Sequence, residues 1–301
     1  MFVFCFNDCI PQNHSDETVD KCLENSLKEY HVLTQKFPKE VNGIITSTTP
    51  IHLYVNENSS LSDCMCRIAD HELKRYAFSV FQKHPVESYY DIDDEAILID
   101  NNFFIKIGNA SYNAFYPFIA FKNQGVLFSL AVDSDICKNQ LTIFNDEIKI
   151  ADIDNLHGNK TNTDYIANLI EKSLYDKAEN LDKLFMVLGI NKASERFLKN
   201  FNNFPANAQL AIIRHFRDAK KRKLTTPFSA DNDLIKDVTP KKEVKIRVFE
   251  LRLFDPVACR VYFYETADCI YLGTVETKPN KKTQNSHINT ARNIIKELVA
   301  I

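Results

Sequence analysis

The sequence predicts an α+β chain of two domains, and three observations carry that prediction. Short apolar runs bounded by turn residues recur in both halves and read as strands. Stretches with apolar residues at helical spacing lie between them. Charge is split along the chain: Lys192–Ile301 holds 21 Lys+Arg against 12 Asp+Glu, net +9, and Met1–Asn191 holds 16 against 28, net −12. Opposite-signed halves within 301 residues suit two domains of ordinary size. The predicted layout is an acidic α+β domain over 1–162 with a mostly antiparallel sheet, a helical connector over 163–190, and a basic domain over 191–301.

Composition bounds the function class. With 45% hydrophobic and 26% charged residues, the chain should bury a sizeable core. No run of eighteen apolar residues suggests a membrane span. The opening MFVFCFNDCI has no basic leader and reads as a first strand rather than a signal peptide. Of eight cysteines, only Cys5/Cys9 and Cys64/Cys66 are closely spaced, and neither pair has the spacing of a zinc knuckle. Reduced thiols in a cytoplasmic protein are therefore expected, with no metal and no cofactor.

Taken in order, Phe2–Phe6 reads as a strand. Asp16–Lys36 reads as a helix, with Val19, Cys22, Leu23, Leu27 and Tyr30 along one side. Asn42–Thr46 and Ile51–Val55 read as short strands. Leu61–Lys83 reads as one helix, capped by Ser60 and stopped by His84-Pro85. Its polar cluster of Asp70, His71, Glu72 and Lys74 reads as solvated helix surface rather than a metal or acid–base group. Strand-like runs follow at Ala96–Ile99, Phe103–Ile107, Gly125–Val132, Leu141–Phe144 and Ile148–Ile150. The aromatic run Tyr112, Phe115, Tyr116, Phe118 and Phe121 reads as core. The polar stretch Asn155–Thr163, with His157, Gly158 and Lys160, reads as an exposed loop too poor in glycine to cradle a phosphate.

Thr163–Ile190 is helical by pattern. Two more helices are expected at Lys192–Phe201 and, after Pro205, Ala206–Lys223. In the second, Leu210, Ile213 and Phe216 share one side, and Arg214, Arg217 and the run Lys220 to Lys223 load the rest. Leu224–Lys242 reads as a loop.

Val244–His287 carries the strongest functional signal. Its apolar runs Val244–Phe254, Cys259–Tyr264 and Ile270–Val275 read as a three-stranded antiparallel meander followed by a helix. Side chains alternate faces along a strand. Val261 and Phe263 then share one face, and Arg260, Tyr262 and Tyr264 share the other. Lys245 and Arg247 alternate with Val244, Ile246 and Val248, and the alternation slips at Phe249, which suggests a bulge. One face should be apolar. The other should carry cations for phosphates and tyrosine rings for base stacking, or be simply a solvated surface.

The ordered set Glu250-Leu251-Arg252, Arg260-Val261-Tyr262-Phe263, Ile270-Tyr271-Leu272 and Lys281-Lys282-Thr283-Gln284, closed by a helix with Ala291, resembles the RelE superfamily of bacterial toxins. The HigB-like and phage-derived branch is nearest. The resemblance covers about residues 190–301. It implies a helical hairpin packed on a small antiparallel sheet, with a C-terminal helix. It implies an endoribonuclease, or mRNA interferase, that uses the RNA's own 2′-hydroxyl and needs no metal. Arg260 would stabilise the phosphate with Arg252 assisting. Lys281 and Lys282 would clamp phosphate or serve as acid, and His287 would be base or acid. Tyr262 would stack a base, and Lys245, Arg247 and Lys278 would hold RNA. Implied partners are RNA, the ribosome, and an antitoxin or phage-derived trigger. The N-terminal domain would restrain or trigger the toxin in phage defence. Where the family has an aromatic residue ahead of its lysines, this chain reads Thr277-Lys278-Pro279-Asn280. A catalytically inactive module that binds RNA, the ribosome or a protein therefore stays open as the alternative, and so does the oligomeric state.

Overall fold

The computed structural model describes residues 2–90, 102–221, 234–240, 246–278 and 281–300. The chain is α+β, with nine α-helices and sheets of seven and five strands among the described residues. It divides into two compact units, Met1–Lys172 and Ser173–Ile301. Among the described residues no helix is long and apolar enough to cross a membrane.

The first unit opens with β1 (Phe2–Phe6), α1 (Asp16–Lys36) and β2 (Val41–Ile45), with β1 and β2 parallel. Then come α2 (Leu61–Arg67), α3 (His71–Val80), β3 (Phe103–Ile107), β4 (Ala110–Asn113) and α4 (Phe115–Lys122). β5 (Val126–Phe128), β6 (Gln140–Asn145), β7 (Ile148–Leu156) and α5 (Lys160–Lys177) follow. The sheet order is β2-β1-β5-β7-β6-β3-β4. The first three pairings are parallel and the last three antiparallel, which corrects the expected mostly antiparallel sheet. The reason lies in β1. Phe4 packs on Tyr30 of α1 and Phe6 on Phe81, while Cys5 joins the opposite core with Ile119 and Ala120 of α4. A strand buried on both faces reads as an unbroken apolar run, as parallel strands do.

Local capping explains a second difference. The helix expected over 61–83 is two helices. Asp70 accepts hydrogen bonds from the backbone N–H groups of Glu72 and Leu73 and so begins α3. The polar cluster at 70–74 is thus a helix start. Ser60 caps α2 as expected, in a capping box with Asp63. Ile51–Val55 forms turns with one bridge, Tyr54 to Ser60, instead of a strand. The expected strand Ala96–Ile99 lies outside the described residues.

The stretch read as the exposed loop Asn155–Thr163 is largely buried. Asn155, His157, Asn162 and Thr163 have little exposure. Asn155 links Ser129 to the carbonyls of Ile136 and Lys138, and Asn162 closes the turn by accepting from the His157 backbone N–H. Gly158 sits at φ +77°, and a Cβ there would stand 2.7 Å from the Ser26 backbone nitrogen. Gly158→Ala is therefore expected to cost about 3 kcal/mol, from left-handed strain plus a backbone clash. A lower denaturant midpoint would report it, and an unchanged midpoint would refute the close approach.

The second unit contains α6 (Asn180–Leu188), β8 (Asn191–Ala193), α7 (Glu195–Asn203) and α8 (Ala206–Lys221). After β9 (Ile235–Asp237) come β10 (Phe249–Leu253), β11 (Cys259–Glu265), β12 (Ile270–Thr277) and α9 (Lys281–Ala300). The order is β8-β12-β11-β10-β9, antiparallel except for the parallel β8–β12 pair. Leu184 and Leu188 of α6, Phe197 and Phe201 of α7, and Ile212 and Phe216 of α8 form one core with Leu251, Val261, Phe263 and Leu272. Each such side chain contributes about 1.5–3 kcal/mol through burial. The residues expected to connect the domains thus include α6, which helps build this core. Leu210, expected on the buried side of α8, is exposed.

The opposite sheet face is not open. Val248, Tyr262, Ile288, Ala291 and Ile295 form a second core beneath α9. That removes the bulge expected at Phe249. Val248 and Phe249 are both buried because both faces are covered, and the β10–β11 register runs unbroken from Phe249↔Phe263 to Leu253↔Cys259. The register shift lies between Tyr262 and Phe263, opposite Gly273 of β12. A Cβ on Gly273 would stand 2.9 Å from Ile295, so glycine lets α9 lie close to the sheet.

Candidate anion-binding site

The pairing of β10 with β11 builds the site. Its register sets Arg252 opposite Arg260 and Glu250 opposite Tyr262. Glu250 and Arg252, two apart, share the α9 face with both partners. The Glu250 carboxylate has no exposed surface. It accepts from Arg252 Nε at 2.6 Å and from Arg260 Nη1 at 3.0 Å. The two arginine side chains are 22% and 13% exposed, so both forks are held at a rim rather than swinging in solvent. Glu276, opposite Arg260 on β12, is taken by Arg196 Nη2 at 2.8 Å and by the Thr274 hydroxyl. Arg260 therefore relies on Glu250.

A cavity of about 240 Å³ opens over this pair. Lys236 of β9, which stands opposite Glu250 in register, lines it. So do Lys278 after β12 and Gln284 on the first turns of α9. Four cations thus line the cavity among the described residues, and two of them are held from beneath by the buried Glu250 carboxylate. Phe254 completes the wall; it is 67% exposed, with Lys278 Nζ 5.7 Å from its ring centroid. Charged donors with fixed geometry and a surplus of positive charge suit a phosphate, with an exposed aromatic ring beside it for a base.

Of the residues expected here, Arg252, Arg260 and Lys278 converge on the cavity. Tyr262 does not: it is fully buried under α9 and cannot stack a base. Burial, with Glu250 beside it, pushes its hydroxyl up to about 12, against the lowering effect of Arg260. Arg247 is exposed and faces Asp237 Oδ2 at 3.7 Å, away from the cavity. Lys245 and the side chains of Lys281 and Lys282 lie outside the described residues. His287 is half-buried, one turn past Gln284 on α9. Its Nδ1 is buried with no hydrogen-bond partner among the described residues. Cys259, at the end of the cavity, has its thiol pushed up to about 11 by burial, which leaves it a poor nucleophile at neutral pH.

Sequence reasoning does not reach Lys236, Glu250, Phe254 and Gln284 as site residues. Lys236 arrives at the site only through the β9–β10 register, which local sequence does not encode. Phe254 has a readable signal: an aromatic residue between the strand end at Leu253 and the turn residues Asp255-Pro256. Among the described residues no group of three His, Cys, Asp or Glu side chains is placed to hold a metal ion. No protein-family model matches the chain, and no curated protein matches it.

Proposed function

We propose that the second unit binds a phosphodiester of single-stranded RNA at the Arg252–Arg260 pair and cleaves it as a RelE-like endoribonuclease. The observation that supports this most directly is the surplus of cations over a buried carboxylate that fixes two guanidinium forks. In this reading the RNA 2′-oxygen attacks the adjacent phosphorus and the 5′-oxygen leaves. The products are a 2′,3′-cyclic phosphate and a free 5′-hydroxyl. Arg252 and Arg260 donate to the non-bridging oxygens, where charge builds up. Lys278 and Lys236 neutralise the flanking phosphates, and Phe254 takes the stacking role. His287 is the imidazole closest along α9 to Gln284 and the candidate for moving the proton. The acidic first unit takes the regulatory role.

One observation favours a second reading, a module that binds RNA without cutting it. The described cavity wall holds anion-binding groups but no histidine or carboxylate, and the Glu250 beneath it is engaged by both arginines. The full chain and its Arg260→Ala and His287→Ala variants would be incubated with end-labelled single-stranded RNA and read for both binding and new 5′ ends. For the nuclease, Arg260→Ala is expected to cut about 100-fold more slowly while binding weakens far less. RNA bound but uncut by all three chains would establish the binding module. RNA left unbound by the unaltered chain would overturn both readings.

A further inference from the structure

The first unit carries a different cavity, of about 450 Å³, lined by Asp8, Tyr112, Asn113, Phe115 and Tyr116. The sheet topology places it. From β1 the chain crosses to β2 on one side and later returns at β5 on the other, all three parallel. The carboxyl end of β1 is therefore a point where strand order reverses, the place where open α/β sheets receive ligands. Asp8 stands two residues past the end of β1. Its Oδ1 is buried and has no partner among the described residues, although the carboxyl also receives hydrogen bonds from its own backbone and from Ser47. His14 Nε2 and Thr49 Oγ1 are likewise buried and unpartnered, and they lie on the loops that leave β1 and β2 at the same end. Buried polar atoms left unmet at one end of a sheet call for a partner.

The surroundings of Asp8 select that partner. Tyr112, Phe115 and Tyr116 are half-buried, and the Phe115 and Tyr116 rings meet at 77° with centroids 5.2 Å apart, two walls of a corner. Elsewhere in this unit several aromatic rings already carry a lysine: Lys106 over Phe104 and Phe144, Lys122 over Phe118, Lys36 over Phe37. Among the described residues no lysine or arginine covers the three cavity rings. Glu87 adds a second carboxylate at the rim, accepting from the Tyr116 hydroxyl at 3.4 Å. Asn113 is already engaged through its side chain with the Phe115 N–H and through its carbonyl with the Cys9 thiol. Residues 1–172 hold 25 Asp+Glu against 14 Lys+Arg, so the unit's field draws cations and repels phosphates.

We infer that this cavity binds an organic cation, an alkylammonium or guanidinium group, seated against the aromatic corner with its charge beside the Asp8 carboxylate. The rings supply cation–π attraction and the carboxylate supplies a charged acceptor. The test is calorimetric titration of the full chain with N-acetyl-arginine amide, N-acetyl-lysine amide and the neutral N-acetyl-norleucine amide. One or both cationic probes are expected to bind, and the neutral one is not. Asp8→Asn and Tyr116→Leu should each weaken binding about tenfold or more, while each variant keeps its cooperative melt. Arg260→Ala, in the other unit, should leave it unchanged. No heat from either cation into the millimolar range would overturn the proposal. So would binding that Asp8→Asn leaves intact, or equal binding of the neutral probe.

Discussion

Glu250→Gln is expected to lower the melting temperature by on the order of 10 °C. Removing one partner of a buried ion pair costs about 3–5 kcal/mol, because the remaining charge stays uncompensated. Here both remaining guanidiniums reach the rim, so the expectation falls below that range, about 2–3 kcal/mol, at several degrees per kcal/mol for a domain of this size. The glutamine amide fills the space but presents an N–H₂ where the carboxylate accepts from an arginine. Replacing the whole set, Glu250→Leu with Arg252→Met and Arg260→Met, should recover most of the loss, since apolar side chains of similar volume replace a buried ion cluster well. That triple variant should fold and, on the proposed reading, no longer hold RNA, which separates the site's structural task from its binding task. A Glu250→Gln chain that melts like the unaltered protein would show both arginines to be simply solvated.

Asp8→Asn is expected to stabilise the protein at pH 8 and to leave it unchanged at pH 4. Burial raises the Asp8 carboxyl from 3.8 to about 6, against hydrogen bonds from its own backbone and from Ser47. A raised carboxyl binds its proton more tightly folded than unfolded. Its favourable contribution is therefore complete below pH 3.8, is lost as pH rises through 6, and above that leaves the full cost of a buried charge. That rise in proton affinity corresponds to about 3 kcal/mol, or about 2–3 with solvent near the residue. Asparagine never ionises and escapes that cost. Urea denaturation at both pH values reads the difference, and an equal gain at both would assign the effect to packing instead.

The contrast between legible and hidden features follows from range. α1 and β3 are readable to the residue because periodicity and caps act within a few positions. The Leu61–Lys83 helix breaks at Asp70 because a short polar side chain offers backbone N–H groups a local partner that apolar spacing does not register. α4 is invisible as a helix because Phe115–Lys122 is apolar nearly all round, which leaves no stripe to detect. In the site, Arg252 and Arg260 can be picked from the strand alternation, but Tyr262 cannot be placed by it. Alternation tells which residues share a face, and not whether α9 will cover part of it. The pairing of both arginines to one carboxylate depends on register, a property of two strands together.

Holding two guanidiniums on one sunken carboxylate has an entropic consequence. A free arginine carries about 2 kcal/mol of rotamer entropy, much of which a ligand must remove when it fixes the side chain. At this rim the disorder of both forks is already removed when the chain folds. An incoming anion then meets donors that are already aimed, and its association loses less to ordering than it would on a loose lysine patch of equal charge. What Glu250 subtracts in net charge it returns as directionality, so this corner of the sheet should distinguish tetrahedral oxyanions by shape more than attract them by charge alone.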